Sequence, residues 1–254
     1  MAFCLLLYGT TSAQTKTLDN QLFKYAKKGD LDSVMVFVNK GADVNSYNYK
    51  AETPLFIATQ NGHYEVVKHL LEHGANPDYT KTEGLTSLMI ACYNGDFNTA
   101  HILARYSKNL NKRDFYGTSA LHYAVYSGEL NIIDMLLAYE VNTNIRSKEF
   151  NTPLHIAMYM LDTAIVQVLI NHGSKINIRN KEGEYPIHIA AQQSNLSAIK
   201  VLVNNGADVN VKNSDSMSVL SIALLNNKTE MIDYLLGKVS LSTHSKKDPY
   251  NPVN

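Results

Sequence analysis

The chain has 254 residues, of which 45% are hydrophobic, and its 23 basic and 23 acidic residues give a formal net charge of zero. This balance argues against nucleic-acid binding, which usually requires a strongly basic surface. The sequence contains no run of 18 or more apolar residues, so no membrane-inserted helix is expected.

The first 13 residues differ from the rest of the chain. An apolar run over residues 2–8 is followed by small residues, and Thr11 and Ala13 suit cleavage before Gln14, as in a secretory signal peptide. No Lys or Arg precedes the run, which is unusual for such a peptide. We predict a signal peptide at 1–13 and a periplasmic or secreted protein. An uncleaved leader would leave a cytoplasmic protein as the alternative.

A period of 33 residues organises the chain from residue 19 to residue 239. Residues 152–157 read T-P-L-H-I-A. Steps of 33 residues from Leu154 reach an apolar residue each time, at Leu22, Leu55, Leu88, Leu121, Ile187 and Leu220. A T-P-L-H-x-A core at this period resembles the ankyrin repeat family, in which a β-turn and two antiparallel helices form one repeat. The resemblance implies an all-α ankyrin solenoid of seven repeats over 19–239, with paired antiparallel helices joined by β-hairpin loops.

The two ends of the array are predicted to differ from its middle. Residues 14–18 read as a polar lead-in, and Asp19 or Asn20 can cap the first helix. The last repeat keeps only the apolar part of the pattern, which is typical of a terminal cap. Residues 240–254 are rich in Ser, Lys, Pro and Asn, so a disordered tail is predicted there.

Recurring residues predict how each repeat is built. The Thr of T-P-L caps a helix and the Pro takes the first turn, where a missing N–H costs nothing. A small residue recurs where two helices approach closely, at Ala58, Ala91, Ala124, Ala157, Ala190 and Ala223. Left-handed Gly ends the second helix at Gly41, Gly74, Gly173 and Gly206. Ser107 and Glu140 replace this Gly in two repeats, at a cost of about 1 kcal/mol each if the backbone is unchanged.

One pattern permits an enzymatic interpretation. Residues 69–73 match H-x-x-E-H, which in some zinc proteases places two histidines beside a general base. A zinc hydrolase using His69 and His73 is therefore an alternative of another class. Leu70 and Leu71 occupy core positions of the repeat, however, and no third ligand is evident. We interpret the pattern as structural and expect no metal, no cofactor and no catalytic residue.

Other residues with potential chemistry also have structural interpretations. His122, His155 and His188 recur with the repeat period, and the ankyrin resemblance implies that they hydrogen-bond the hairpin backbone. Cys4 lies in the leader, and Cys92 stands where sister repeats carry small residues such as Ala191. Cys92 is therefore predicted to be a buried core residue and not a reactive thiol.

The variable positions predict a binding surface. The resemblance implies that a partner contacts the hairpin tips and the exposed side of the first helices, which together form a concave face. Tyr stands five residues after the leading apolar residue in three repeats, at Tyr93, Tyr126 and Tyr159. Because Tyr is enriched at recognition surfaces, we predict an aromatic ladder for partner binding. Simple packing between repeats is the alternative interpretation of this column.

A basic column lies eight residues before the leading apolar residue, at Arg113, Arg146, Arg179 and Lys212. Glu149 and Glu182 are close in sequence, so salt bridges within the hairpins would explain the column as well as partner binding. Phe115 and Tyr116 on the hairpin before repeat four favour recognition.

We therefore predict a monomeric, non-enzymatic adaptor that resembles an exported bacterial ankyrin repeat protein. Its predicted contacts with a protein partner are Tyr93, Tyr126, Tyr159, Phe115, Tyr116, Arg113, Arg146 and Arg179. An immunity- or inhibitor-like protein that blocks a periplasmic enzyme or toxin is the alternative within the same class. No residue predicts the identity of the partner.

Overall fold

The computed structural model describes the backbone of residues 16–160 and 162–244 and the side chains up to residue 238. The predicted leader at 1–13 and residues 245–254 of the predicted tail lie outside the described residues. The described chain is helical, and its loops contain isolated antiparallel bridges, Arg113 with Ser119 and Lys212 with Ser218, without strands. The predicted all-α repeat fold is confirmed.

The chain divides between Val141 and Asn142 into two compact units. The helices of the first unit are α1 (residues 16–28), α2 (Leu31–Asn39), α3 (Pro54–Gln60), α4 (Tyr64–Glu72), α5 (Ser87–Tyr93), α6 (Phe97–Tyr106), α7 (Ala120–Ser127) and α8 (Leu130–Ala138). Those of the second unit are α9 (Pro153–Ala157), α10 (Thr163–Asn171), α11 (Pro186–Gln192), α12 (Leu196–Asn204), α13 (Val219–Leu225) and α14 (Thr229–His244). Among the described helices, none combines the length and the apolar character needed to cross a membrane.

Helices pair within each repeat and stack between neighbouring repeats. In the first unit α3 packs against α4, and the first helices α3, α5 and α7 pack in sequence. In the second unit α11 packs against both α12 and α13. The predicted close-contact residues are fully buried, at Ala58, Ala91, Ala124, Ala157, Ala190 and Ala223. Their small size allows neighbouring helices to approach closely.

The first helices begin as the T-P-L pattern predicts. Thr53 is extended, and its Oγ1 accepts the backbone N–H of Phe56 at 3.2 Å. Pro54 occupies the first position of α3, where its fixed backbone suits the helix. Thr86 caps α5 in the same way.

The second helices end differently at the two positions where Gly is replaced. The predicted left-handed glycines have positive φ, at Gly41, Gly74, Gly173 and Gly206. Glu140 keeps this backbone, with a φ of 56°. Ser107 does not, because it is extended with φ −74° and ψ 140°, and its Oγ donates to the carbonyl oxygen of Leu103. The conformational cost predicted for both sites therefore applies to Glu140 alone.

We expect Glu140→Gly to raise the free energy of unfolding by about 1 kcal/mol, because Gly adopts a positive φ without strain. Ser107→Gly is the matched control and is expected to lower it by about 0.5–1 kcal/mol, since Gly loses more backbone freedom in an ordinary extended conformation. Urea unfolding followed by circular dichroism measures both. Shifts of the same sign in the two variants would contradict the explanation.

Helical residues extend beyond both predicted ends of the array. Residues 16–18, which were predicted as lead-in, are already helical. Asp19 therefore lies inside α1 and does not cap it, and its carboxylate instead accepts the backbone N–H of Asp43 at 2.8 Å. At the other end α14 continues to His244, into the predicted disordered tail. No Pro stands between Thr229 and Pro249, so no proline ends α14 earlier.

Candidate functional site

Two rungs of the predicted tyrosine ladder contact each other in the first unit. Tyr93 ends α5 and Tyr126 lies near the end of α7, at the same position of consecutive repeats. Because α5 and α7 pack together, the two rings stack with centroids 5.9 Å apart and an angle of 13° between their planes. Tyr93 is 51% and Tyr126 59% exposed. The pair thus packs between repeats and still presents a broad aromatic surface to solvent.

Tyr123 contacts both the tyrosine ladder and the hairpin in front of α7. Its ring meets Tyr93 edge-on, with centroids 6.1 Å apart and planes at 90°. Its hydroxyl donates to Oδ2 of Asp114 at 2.7 Å. Burial, together with this hydrogen bond to Asp114, raises the pKa of the Tyr123 hydroxyl. Tyr123 therefore remains protonated and links the ladder to the hairpin that contains Asp114.

Asp114 organises the hairpin in front of α7. It is buried, and its Oδ1 accepts the backbone N–H groups of Tyr116 and Thr118, each at 2.8 Å. The carboxylate thus closes the turn that carries Phe115 and Tyr116. These two rings meet edge-on at 5.5 Å and are 62% and 64% exposed. The hairpin holds two exposed aromatic side chains in a defined arrangement.

Asp114 and Tyr123 were not among the residues predicted from the sequence. A signal for Asp114 exists, because Asn48, Asn180 and Asn213 stand at the same place, seven residues before the leading apolar residue. Each Asn uses Oδ1 to accept the N–H groups two and four residues later. An amide thus forms the same backbone hydrogen bonds as Asp114 but carries no charge.

Two exposed aromatic residues of an earlier hairpin, Tyr47 and Tyr49, were also not predicted. Tyr49 stands at the hairpin position of Phe115, six residues before the leading apolar residue, and is 92% exposed. Tyr47 is exposed and stacks on Tyr79 with centroids 6.3 Å apart. The hairpins of the first unit therefore add exposed aromatic surface to that of the tyrosine ladder.

Tyr159 lies in the second unit, in a turn and not on a first helix as predicted. Helix α9 ends at Ala157, and the N–H groups of Tyr159 and Met160 bond to carbonyl oxygens three residues earlier. This tighter pattern ends the α-helix before the tyrosine. Tyr159 is about half exposed. Burial, and the nearby carboxylates of Glu184 and Glu182, raise the pKa of its hydroxyl.

The predicted arginines bond to aromatic rings and backbone oxygens. In the second unit the guanidinium of Arg146 lies over the ring of Phe150 at 4.4 Å and donates to the carbonyl oxygen of Arg179 at 2.8 Å. Arg179 lies over Tyr185 at 5.2 Å and donates from Nε to its hydroxyl at 2.9 Å. In the first unit Nε of Arg113 donates to the carbonyl oxygen of Gly117 at 3.3 Å.

The ion pairs of the described hairpins involve lysines and none of these arginines. Lys81 pairs with Glu52 and Glu83 at 3.9 and 3.4 Å, and Lys181 pairs with Glu149 at 3.2 Å. Salt bridges within hairpins were the alternative interpretation of the basic column. They are formed by the neighbouring lysines and not by the arginines of the column. The arginines are held in place while their capacity for bidentate carboxylate binding is unused among the described residues.

The recurring histidines connect each first helix to a hairpin. His122, His155 and His188 are buried, and each Nδ1 accepts the backbone N–H three residues earlier. Because Nδ1 accepts, the proton resides on Nε2. Nε2 of His155 donates to the carbonyl oxygen of Glu184 at 3.3 Å, and Nε2 of His188 donates to that of Val211 at 3.2 Å. The hairpin role implied by the resemblance is confirmed for these two residues.

His188 predicts a pH dependence of stability. Burial lowers its pKa, although hydrogen bonds to the carbonyl oxygens of Val211 and Met217 act in the opposite direction. The unfolded chain, with an ordinary His pKa of about 6.5, then binds more protons than the folded chain just below that pH. The stability that neutral His188 contributes is therefore complete above pH ~6.5. It is lost as the pH falls from there to the lowered pKa of the folded chain. His188→Gln is expected to flatten this decline in urea unfolding measured between pH ~5 and ~8. An unchanged slope would contradict the assignment.

The H-x-x-E-H residues form part of a helix end. Leu70 and Leu71 are buried in the core, and Nδ1 of His73 donates to the carbonyl oxygen of His69 at 2.8 Å. Burial, and then the charge of His73, lower the pKa of His69. The described residues contain no group of three or more His, Cys, Asp or Glu side chains that could hold a metal ion. Both histidines lie at the C-terminal end of α4, where their rings contact each other with centroids 4.0 Å apart.

Cys92 has the environment predicted from its position. It is a free cysteine with no exposed surface. Burial raises the pKa of its thiol, so the reactive thiolate is disfavoured.

The comparisons with known proteins agree with this geometry. A family model described as ankyrin repeats (3 copies) matches residues 2–81, 74–149, 136–213 and 154–248. The solved ankyrin repeat domain of Bcl-3, a unique member of the IkappaB protein family, is 26% identical with a TM-score of 0.74, over 85% of this chain and 97% of that chain. The human ASB11 ankyrin repeat domain is 26% identical with a TM-score of 0.71, over 91% and 99%. No sequence among the curated proteins is significantly similar to the chain.

Proposed function

Because the chain belongs to the ankyrin repeat family, we propose that it is a non-catalytic adaptor that binds a protein partner through its exposed aromatic and arginine side chains. Solenoids of this kind offer extended surfaces for binding. The observation that carries the proposal is the aromatic surface of the first unit, formed by Tyr93, Tyr126, Phe115 and Tyr116. All four rings are more than half exposed, although each is fixed by a contact with another ring.

Fixed aromatic side chains are well suited to binding. An exposed ring normally loses conformational freedom when it binds, and this loss lowers the affinity. Stacking of Tyr93 on Tyr126 and the hydrogen bond from Tyr123 to Asp114 restrict these rings before a partner arrives. A tyrosine also presents a large apolar area with a polar hydroxyl, which makes it a frequent anchor at interfaces.

The arginines indicate the chemistry of the partner. Arg113, Arg146 and Arg179 are exposed, and none pairs with a carboxylate of the described chain. Arg guanidinium groups bind carboxylates through two parallel hydrogen bonds. We therefore propose that the partner presents carboxylate side chains beside an apolar surface.

Export is the second part of the proposal, and it is supported by the 13-residue leader. The mature chain is expected to begin at Gln14, which N-terminal sequencing of purified protein determines. A purified chain that still begins at its leader would contradict export and favour the cytoplasmic alternative.

Affinity capture from the exported fraction, followed by mass spectrometry, tests the proposal. The wild-type chain and a Tyr93→Ala/Tyr126→Ala variant serve as paired baits, and a true partner is retained by the first and lost from the second. A partner retained equally by both would overturn the site. If the partner is an enzyme or a toxin, an assay of its activity with added protein separates the inhibitor alternative, which predicts loss of activity, from an adaptor.

A further inference from the structure

A second candidate region lies in the first unit, on the first helices of the two repeats that precede the tyrosine ladder. A cleft of about 350 Å³ is bounded by α1, by the hairpin at residues 48–52 and by α3. Its volume is at the lower end of the range of about 300–1,000 Å³ that is typical of ligand pockets. The cleft is therefore large enough for a side chain and its neighbouring backbone, but not for an extended ligand.

The rim of the cleft is basic. Lys24 and Lys27 come from α1 and Lys50 from the hairpin. All three are exposed, and none forms an ion pair within the part of the chain that the structure describes. The three lysines thus line one cleft, and their charges are not neutralised by an ion pair among the described residues.

The interior of the cleft combines apolar and acceptor groups. Phe23 from α1 and Ile57 from α3 provide apolar surface, and Ile57 is buried. Glu52 also lines the cleft, but its carboxylate is engaged by Nδ2 of Asn48 at 3.0 Å and by Lys81 at 3.9 Å. An apolar floor below a basic rim favours a ligand with an apolar side chain flanked by negative charge.

We propose that this cleft binds an acidic peptide segment of a protein partner, with an apolar side chain on Phe23 and Ile57 and carboxylates at Lys24, Lys27 and Lys50. Glu52 lines the cleft and can accept a peptide N–H, and the chain as a whole has no excess positive charge. Both facts favour a peptide over a nucleic acid. The inference rests on the proposed protein-binding function and adds a specific partner chemistry at residues other than the tyrosine ladder.

Fluorescence anisotropy with a labelled peptide, Gly-Asp-Glu-Phe-Glu-Asp-Gly, tests the proposal on the full chain. The cleft variant is K24Q/K27Q/K50Q. The matched control is K16Q/K28Q/K40Q, which removes the same number of charges from exposed lysines of the same unit that do not line the cleft. We expect the cleft variant to bind the peptide at least about ten-fold more weakly and the control variant to bind it like the wild type. The same peptide with Asn and Gln in place of its acids should bind weakly to all three proteins.

Three outcomes would overturn the proposal. They are no binding of the acidic peptide by the wild-type chain, equal loss in the two lysine variants, and tighter binding of an oligothymidylate that is lost only in the cleft variant. Both lysine variants retain Tyr93 and Tyr126. Failure of this test therefore leaves the capture experiment on the ladder unaffected, and the two proposals can fail separately.

Discussion

Replacing Asp114 with Ala is expected to lower the free energy of unfolding of the first unit by about 3 kcal/mol. The buried carboxylate accepts the N–H groups of Tyr116 and Thr118 and the hydroxyl of Tyr123. Hydrogen bonds to a charged group contribute about 1.5–3 kcal/mol, and donors left without a partner add a desolvation cost. Urea unfolding followed by circular dichroism measures the loss of stability.

Two variants separate the contributions of this carboxylate. Asp114→Asn is expected to cost less than about 1 kcal/mol, because Asn48, Asn180 and Asn213 form the same two backbone hydrogen bonds in their hairpins. Tyr123→Phe removes only the hydroxyl and is expected to cost about 1 kcal/mol. If Asn were as damaging as Ala, the charge and not the turn geometry would be the main contribution, and our account of the hairpin would be wrong.

Much of the fold could be predicted because it depends on local sequence rules that repeat. The leading apolar residues and the alanine column follow from the 33-residue period, since each repeat buries the same positions against its neighbours. The cap at Thr53 and the left-handed backbone at Gly74 depend only on the chemistry of a few adjacent residues. Such features are visible wherever the pattern is present.

The candidate site was less predictable because it depends on contacts between elements. The spacing placed Tyr93 and Tyr126 in one column, but only the packing of α5 on α7 shows that the rings stack. Tyr159 stands at the same spacing, yet a tighter turn removes it from the helix. The pairing of Tyr123 with Asp114 joins residues from a helix and a hairpin, and the sequence alone does not show that the two side chains meet.

The lysine cleft depends even more strongly on the fold. Lys24 and Lys50 are 26 positions apart in the chain and belong to different repeats. They converge because α1, the following hairpin and α3 pack around one depression. A chain with zero net charge gives no compositional signal for such a local concentration of positive charge.

Removing the two stacked rungs of the ladder, Tyr93→Ala with Tyr126→Ala, is expected to weaken binding of the captured partner about 100-fold, or about 3 kcal/mol. Truncating a central aromatic anchor often costs 2 kcal/mol or more, and the two stacked rings are lost together, so their effects do not simply add. Isothermal titration calorimetry with the purified partner measures the affinity. Both rings are more than half exposed in the free protein. The double substitution should therefore reduce the stability of the fold far less than it reduces the binding free energy.

Tyr106→Ala with Tyr139→Ala is the matched control for this prediction. Tyr106 is the last residue of α6 and Tyr139 comes directly after α8, so both lie at the ends of second helices of the same unit. Both are also exposed. Their removal deletes the same side-chain atoms from a different part of the repeat and should leave the affinity unchanged. Tyr93→Phe with Tyr126→Phe keeps the stacked rings and should retain most of the affinity if the apolar surface dominates. Equal losses in the ladder and control variants would mean that the partner does not recognise the first-helix surface, whereas a large loss in the Phe variant would assign recognition to the hydroxyl groups.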